Sequence, residues 1–309
     1  MPSLHPRSKR FRRVENERRP MCLTARDLEI LRLVAEHRFL SSVHLHQWLG
    51  GSRQNLLRRL HRLFHHGYLD RPTSQLDYYH QGGSRPMVYG LGRRGAGRLR
   101  RDLNVPFARL DWAGRPRAVG RLFLDHALLV ADVVTQLELA CRRSGKMRLV
   151  LLDGLAPENA AASRRRTWQW SVTLAARQRV GVAPDRVIAL EPVDPENEKE
   201  RQTFFLEADR GTMPVTRSNF RQTSVERKLL AYEATWSQRL HQTRLGLPRF
   251  RTLIVTPSRE RAANIVEHIR SLPRGRGLFL CANLDRLAAA EDALTSRYWD
   301  GASGKEPLC

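Results

Sequence analysis

Three carboxylates stand where two apolar runs meet charge. Pro184-Asp185 directly precedes the run Val187 to Leu190, and Glu207-Ala208-Asp209 closes the run Phe204-Phe205-Leu206. Side chains alternate along a strand, so Glu207 and Asp209 share a face. If that strand is central, these two beside Asp185 gather negative charge that is costly to desolvate unless a cation joins them. Oxygen ligands of this kind suit Mg2+ or Mn2+, which polarise a phosphodiester and acidify a bound water. The expected metal ligands are therefore Asp185, Glu207 and Asp209. The competing reading is that strand-end carboxylates face solvent or pair with arginine, and Arg186 and Arg210 adjoin them.

Other candidate groups carry less chemistry. His61 and His65 have the i, i+4 spacing of a helical metal pair, with His66 adjoining, but no Cys or acid sits at ligand spacing, so exposure or phosphate contact is expected. Gly90, Gly92, Gly95 and Gly97 lack the G-x-x-x-x-G-K-[ST] pattern of a nucleotide-binding loop and read as flexible turn residues. Tyr78 and Tyr79 read as hairpin residues, and Ser224 has no His and Asp partners for a hydrolase triad. Asp125, His126 and Asp132 share an apolar helix, where His126 reads as a packed core histidine.

The elements that must position these residues fall into two groups. Thr24 is a candidate N-cap for a first helix with Leu28, Leu31, Val34 and Ala35 at helical spacing. A second helix runs from Ser42 to Leu49, and Gly50-Gly51 ends it. Ser52 caps a third, with the apolar stripe Leu56, Leu57, Leu60, Leu63 and Phe64. Arg53, Gln54, Asn55, Arg58, Arg59 and Arg62 occupy its other faces. Tyr68-Leu69, a polar loop around Gly82-Gly83, and the alternation Met87, Tyr89, Leu91 then predict a two-stranded hairpin. Three helices and a hairpin follow the order of a winged helix-turn-helix. In that fold the third helix enters the major groove, where Arg, Gln and Asn can pair with purine edges, and the wing, here His80 to Arg85, lies along the backbone.

A polar stretch punctuated by Pro106, Gly114 and Pro116 follows, then a long apolar helix from about Val119 to Arg142. Strands are expected at 148–152, 187–190, 203–208, 252–255 and 278–281, with helices at about 224–240 and 259–271. This pattern predicts a three-layer α/β domain with a central mixed sheet. The expected organisation is a flexible basic arm over 1–20, the winged-helix domain over 21–101, a linker over 102–118, the α/β domain over 119–290 and a tail over 291–309 whose last dozen residues fray.

The charge agrees with a polyanionic partner. Over 309 residues Lys and Arg number 54 against 31 Asp and Glu, a net charge of +23. Nucleic acid fits best, since each phosphate neutralised by Arg or Lys releases a condensed counterion. No apolar run approaches membrane-spanning length. Cys22, Cys141, Cys281 and Cys309 form no C-x-x-C pair, and the first 20 residues are polar and Arg-rich, which together point to reduced thiols and a cytoplasmic protein associated with the nucleoid or a plasmid.

The segments Leu122 to Asp132, Pro184-Asp185, Phe205 to Thr212 and Lys228 to Tyr232, preceded by the winged-helix pattern, resemble the replication-relaxation family of plasmid and mobile-element proteins. The likeness covers roughly residues 23 to 285. The resemblance implies a role in plasmid replication and DNA relaxation. It also implies kinship with relaxases of the MOB-C class, which carry a restriction-endonuclease-like PD-(D/E)xK core and nick DNA without a catalytic tyrosine. Mapped by resemblance, Asp185 stands at the first acid and Glu207 at the second. The chain departs from the pattern at Asp209, where the consensus has lysine. Lys228, one helix downstream, is a candidate to supply that ammonium, and is equally readable as a surface charge.

Two functions follow. One is a metal-dependent site-specific nickase, with Asp185, Glu207, Asp209 and Lys228 as catalytic residues. The other is an inert nuclease fold serving a DNA-binding regulator or a replication or mobilisation accessory. Under both, the partner is double-stranded DNA at an origin or operator-like site, contacted by Arg53, Gln54, Asn55, Arg58, Arg59, Arg62 and Arg85. A homodimer and replication or conjugation proteins are further candidate partners.

Overall fold

The computed structural model describes residues 10–13, 21–76, 85–103, 119–152, 168–174, 177–194, 200–212, 214–215, 224–289, 294–295 and 297–308. Contacts divide the chain into two compact units, Met1–Thr135 and Gln136–Cys309. The division falls inside the long apolar helix with which the expected second domain begins.

The first unit opens with α1 (Ala25–His37), β1 (Phe39–Ser41), α2 (Ser42–Leu49) and α3 (Arg53–His65), followed by β2 (Leu69–Asp70), β3 (Val88–Leu91) and α4 (Arg93–Leu103). Side chains fix where the helices start. Thr24 accepts from the Asp27 amide while Asp27 accepts from the Thr24 amide at 2.6 Å, a closed capping box. Ser41 begins α2 in the same way with His44 as its reciprocal partner, and Ser52 caps α3. The expected hairpin is present as β2 and β3, and β1 adds a third antiparallel strand in the order β1-β3-β2. Leu31, Val34, Leu45, Leu56, Leu60, Leu63, Phe64 and Leu91 form the core.

Two expectations are corrected here. The glycines after β3 are not a flexible turn, because Gly95 and Gly97 lie inside α4. A Cβ on Gly92 would meet the Gly67 carbonyl oxygen at 2.3 Å, and one on Gly95 the Tyr68 oxygen at 2.3 Å, so these two allow helix and hairpin to touch. Part of the basic arm is also packed. Phe11 is buried, and Arg13 donates to the carbonyls of Phe64 and Leu69 and pairs with Asp70.

The helix α5 (Arg121–Ser144) crosses the division between the units. The second unit continues with β4 (Met147–Leu151), β5 (Trp170–Thr173), β6 (Arg179–Val182), β7 (Arg186–Pro192), β8 (Gln202–Ala208), α6 (Val225–Ser237), α7 (Leu240–Thr243), β9 (Arg251–Thr256), α8 (Arg259–Ser271), β10 (Phe279–Asn283), α9 (Leu284–Ala289), β11 (Trp299–Gly301) and β12 (Gly304–Glu306). Among the described residues seven strands make one mixed sheet in the order β12-β11-β10-β9-β8-β7-β4, and β5 and β6 form a separate pair. Strands β8, β9 and β10 are parallel, joined by helical crossovers, and β7 is antiparallel to β8.

Both faces of the central strands are buried, which is why they read as unbroken apolar runs. Val187, Ala189, Phe205, Ile254, Phe279 and Cys281 pack with Leu229 and Tyr232 of α6 and Ile265 and Ile269 of α8. The alternate residues Ile188, Leu190, Phe204, Leu206, Leu253 and Leu280 are also fully enclosed. The expected fraying end is corrected as well: β11 pairs with β10 and β12, and Trp299 is completely buried. Most of the expected linker lies outside the described residues.

Candidate functional site

The acidic cluster forms where β7 begins and β8 ends. The ladder between β7 and β8 ends with Arg186 opposite Leu206, so Asp185 stands one residue before β7, beside the end of β8. The Asp185 amide donates to the Leu206 carbonyl at 3.0 Å, and its side-chain oxygen accepts from the Ala208 amide at 2.8 Å, which fixes the carboxylate over the neighbouring strand end. Glu207 projects to the face covered by α6 and is buried. Ser224 caps that helix by accepting from the Arg227 amide, which sets the phase that brings Lys228 and Tyr232, four residues apart, over the glutamate. Lys228 Nζ donates to Glu207 Oε2 at 2.5 Å and Tyr232 Oη to Oε1 at 2.5 Å.

Charge and burial compete at this point. Burial pushes the Glu207 carboxyl above its ordinary value. Lys228 pulls it back, the Asp185 carboxylate nearby pushes it further, and the net direction is up. Burial works against the Lys228 ammonium, but the carboxylates of Glu207, Asp185 and Asp209 together hold its pKa above the usual lysine value. Tyr232 is raised well above the ordinary phenol, first by burial and then by the glutamate it faces.

Asp209 has a different neutraliser. Its amide donates to the Val255 carbonyl, and its carboxylate receives Arg261 of α8 as a fork, Nε at 2.7 Å and Nη2 at 3.3 Å. The three expected metal ligands stand at neighbouring strand ends, and Glu207 and Asp209 are each already answered by a cation of the chain itself. A divalent ion held by all three does not fit this arrangement, since Asp209 is taken by Arg261. Among the described residues no group of three or more His, Cys, Asp or Glu side chains is disposed to hold a metal. Asp185 and Glu207, on adjacent strand ends, are oxygen donors of the class that Mg2+ or Mn2+ takes, and both oxygens of Glu207 already accept from Lys228 and Tyr232. Arg261 and the bonding role of Tyr232 were not anticipated. The Lys228/Tyr232 spacing contained the second, and nothing in the sequence ties Arg261 to a residue 52 positions earlier.

The basic face lies on α3. Leu56, Leu60, Leu63 and Phe64 are buried, while Arg53, Gln54, Asn55, Arg58, His61 and Arg62 are exposed. Leu57, expected in the apolar stripe, is exposed as well. Arg59 differs from its neighbours. Its Nε donates to Asp27 Oδ1 at 2.5 Å, Nη2 donates to the other oxygen, and Nη2 also reaches the Cys22 carbonyl at 2.8 Å. Asp27 is fully enclosed; burial alone would push its carboxyl up, but Arg59 and the Thr24 cap outweigh it and hold it below the ordinary value. Arg59 therefore joins α3 to α1 instead of standing with the outward-facing arginines. Arg85 is exposed, and the rest of the expected wing, His80 to Ser84, lies outside the described residues, as do Tyr78 and Tyr79.

Two acids of α5, Asp125 and Asp132, are engaged within the first unit. Ser41 donates its amide to His44 Nδ1, so His44 Nε2 carries the proton and donates to Asp132 at 2.5 Å. Asp125 faces Arg121 at 3.8 Å, and His126 is half-buried. The rings of His61 and His65 meet edge to face, 4.2 Å between centroids. No helix among the described residues is long and apolar enough to cross a membrane.

A family model described as replication-relaxation matches residues 31–248, and the chain belongs to that family. The matched span takes in α3, both paired acids and Lys228. No curated protein and no solved structure matches the chain.

Proposed function

We propose that this member of the replication-relaxation family binds double-stranded DNA through its first unit and acts in the replication or relaxation of a plasmid or mobile element. The observation that carries the reading is the outward face of α3, where Arg53, Gln54, Asn55, Arg58 and Arg62 stand exposed together on a helix whose other side is anchored in the core. A helix of this diameter fits a major groove about 12 Å wide, and these side-chain types pair with purine edges and phosphates. The element order helix, strand, helix, helix, hairpin supports α3 as the recognition helix of a winged helix-turn-helix. The chain's surplus of positive charge supports the same partner.

The test is fluorescence anisotropy with duplexes tiled across the origin of the replicon that encodes the protein. Arg58→Ala/Arg62→Ala should bind several-fold more weakly with an unchanged melting temperature. Equal affinity of variant and wild type for every duplex would sink the reading.

A second reading, nicking of DNA by the acidic cluster, is favoured by the Lys228 ammonium at Glu207. In the nuclease pattern a lysine two residues after the second acid supplies that charge. Here α6 supplies it, while the residue at that position, Asp209, is held by Arg261. On this reading Asp185 and Glu207 would hold Mg2+ or Mn2+, which supplies Lewis acidity toward a phosphodiester, and the second unit is a restriction-endonuclease-like domain. Supercoiled plasmid incubated with and without Mn2+ decides it. Open circles from wild type alone, and none from Asp185→Ala/Glu207→Ala, mean cutting. Unchanged binding with no circles in any sample means an inert acidic cluster.

A further inference from the structure

The helix α4 carries five arginines in eleven residues: Arg93, Arg94, Arg98, Arg100 and Arg101. Gly95 and Leu99 form its buried edge, while Arg93, Gly97, Arg100 and Arg101 are exposed. At roughly 100° per residue those four positions fall within one third of the helix circumference, away from the core. Arg94 beside them is tied inward, donating to the His66 carbonyl at 3.0 Å with its guanidinium 4.9 Å from the centre of the Tyr68 ring. Among the described residues Arg93, Arg100 and Arg101 have no hydrogen-bonding or charged partner.

Gly97 supplies an independent observation. Gly95 is required, since a side chain there would run into the Tyr68 carbonyl, but a Cβ on Gly97 would meet nothing within 4 Å. Its φ is not positive, so the backbone does not demand glycine either. A glycine inside a helix lowers stability relative to alanine, and here the fold gains nothing in return. What it creates is a bare stretch of backbone flanked by three unpaired guanidiniums, a surface that lets a polyanion approach closely.

We infer that the Arg93, Gly97, Arg100 and Arg101 face of α4 seats the sugar-phosphate backbone of duplex DNA, with Gly97 admitting the phosphates against the helix. This rests on the reading that the first unit binds DNA, and adds a contact element distinct from α3. Each arginine neutralises a phosphate without reading sequence, so the face contributes affinity and salt dependence.

The experiment measures duplex affinity over a series of salt concentrations, together with melting temperature. It compares wild type, Gly97→Ala, Arg93→Ala/Arg100→Ala/Arg101→Ala, and the α3 variant Arg58→Ala/Arg62→Ala. Gly97→Ala should melt higher than wild type yet bind DNA more weakly. The triple variant should lower the steepness of log affinity against log salt by about 2.7, three contacts at about 0.9 each. If Gly97→Ala and the triple variant keep wild-type affinity and slope while the α3 variant binds more weakly, this inference is overturned and the DNA-binding reading stands. If wild type binds no duplex, both fall.

Discussion

Lys228 and Tyr232, one helical turn apart on α6, divide the two oxygens of Glu207 between them. A buried carboxylate is tolerated at the end of β8 because one partner brings charge and the other a hydroxyl. Removing the hydroxyl leaves the buried Glu207 Oε1 without its donor. Tyr232→Phe, which keeps the ring, should therefore cost about 1–3 kcal/mol in urea unfolding. A loss no larger than that of an exposed substitution such as Val193→Ala would count against the network.

The pH dependence of stability follows from the same glutamate. Its folded-state pKa lies above the ordinary 4.5, so folding favours the protonated form. The contribution of Glu207 is fully present below pH 4.5 and is lost as the pH climbs through the raised value. Glu207→Gln, which mimics the neutral acid, should flatten this part of the profile. The melting temperature of wild type then falls relative to the variant as the pH rises above 4.5. Parallel profiles would show that Glu207 is not held up by burial.

Arg59 and Arg58 are neighbours with opposite expected phenotypes. Arg59→Ala strands a fully buried Asp27 carboxylate and should cost about 3 kcal/mol, with the melting temperature as readout. Arg58→Ala should leave stability within about 0.5 kcal/mol, as for other surface changes. The lowered Asp27 pKa stabilises the fold above its ordinary 3.8, and this is lost as the pH falls through the lowered value. Acid unfolding of wild type should therefore be steeper below pH 3.8 than that of Asp27→Asn.

Gly95→Ala should destabilise by about 1–3 kcal/mol, because the new methyl group must displace the Tyr68 carbonyl. Gly97→Ala, two residues on, should stabilise by about 0.5–1 kcal/mol. Denaturation midpoints that move in the same direction for both would contradict the packing of α4 on the hairpin.

The parts of the fold legible in the sequence are those fixed locally. Thr24 and Ser52 mark helix starts because caps act within three residues, and β7 to β10 announce themselves as unbroken apolar runs. β5, β6, β11 and β12 are short, and their pairing is what makes them strands, so Trp299-Asp300-Gly301 carries no pattern of its own. The acids of the cluster were legible in type and position, but the cations that answer them were not. Arg261 reaches Asp209 across 52 residues and Arg59 reaches Asp27 across 32, distances over which spacing holds no information. The same limit made Arg59 look like one more outward-facing arginine.

The terminal hairpin decides where this protein can be altered. Phe279 to Ala282 are buried, and the hydrogen-bonding rim of β10 is occupied by the segment around Trp299. A chain shortened before Tyr298 would bare that rim beside an apolar strand, a template for self-association in the test tube. Low yield from a gene truncated there would reflect an uncovered sheet margin instead of a lost activity.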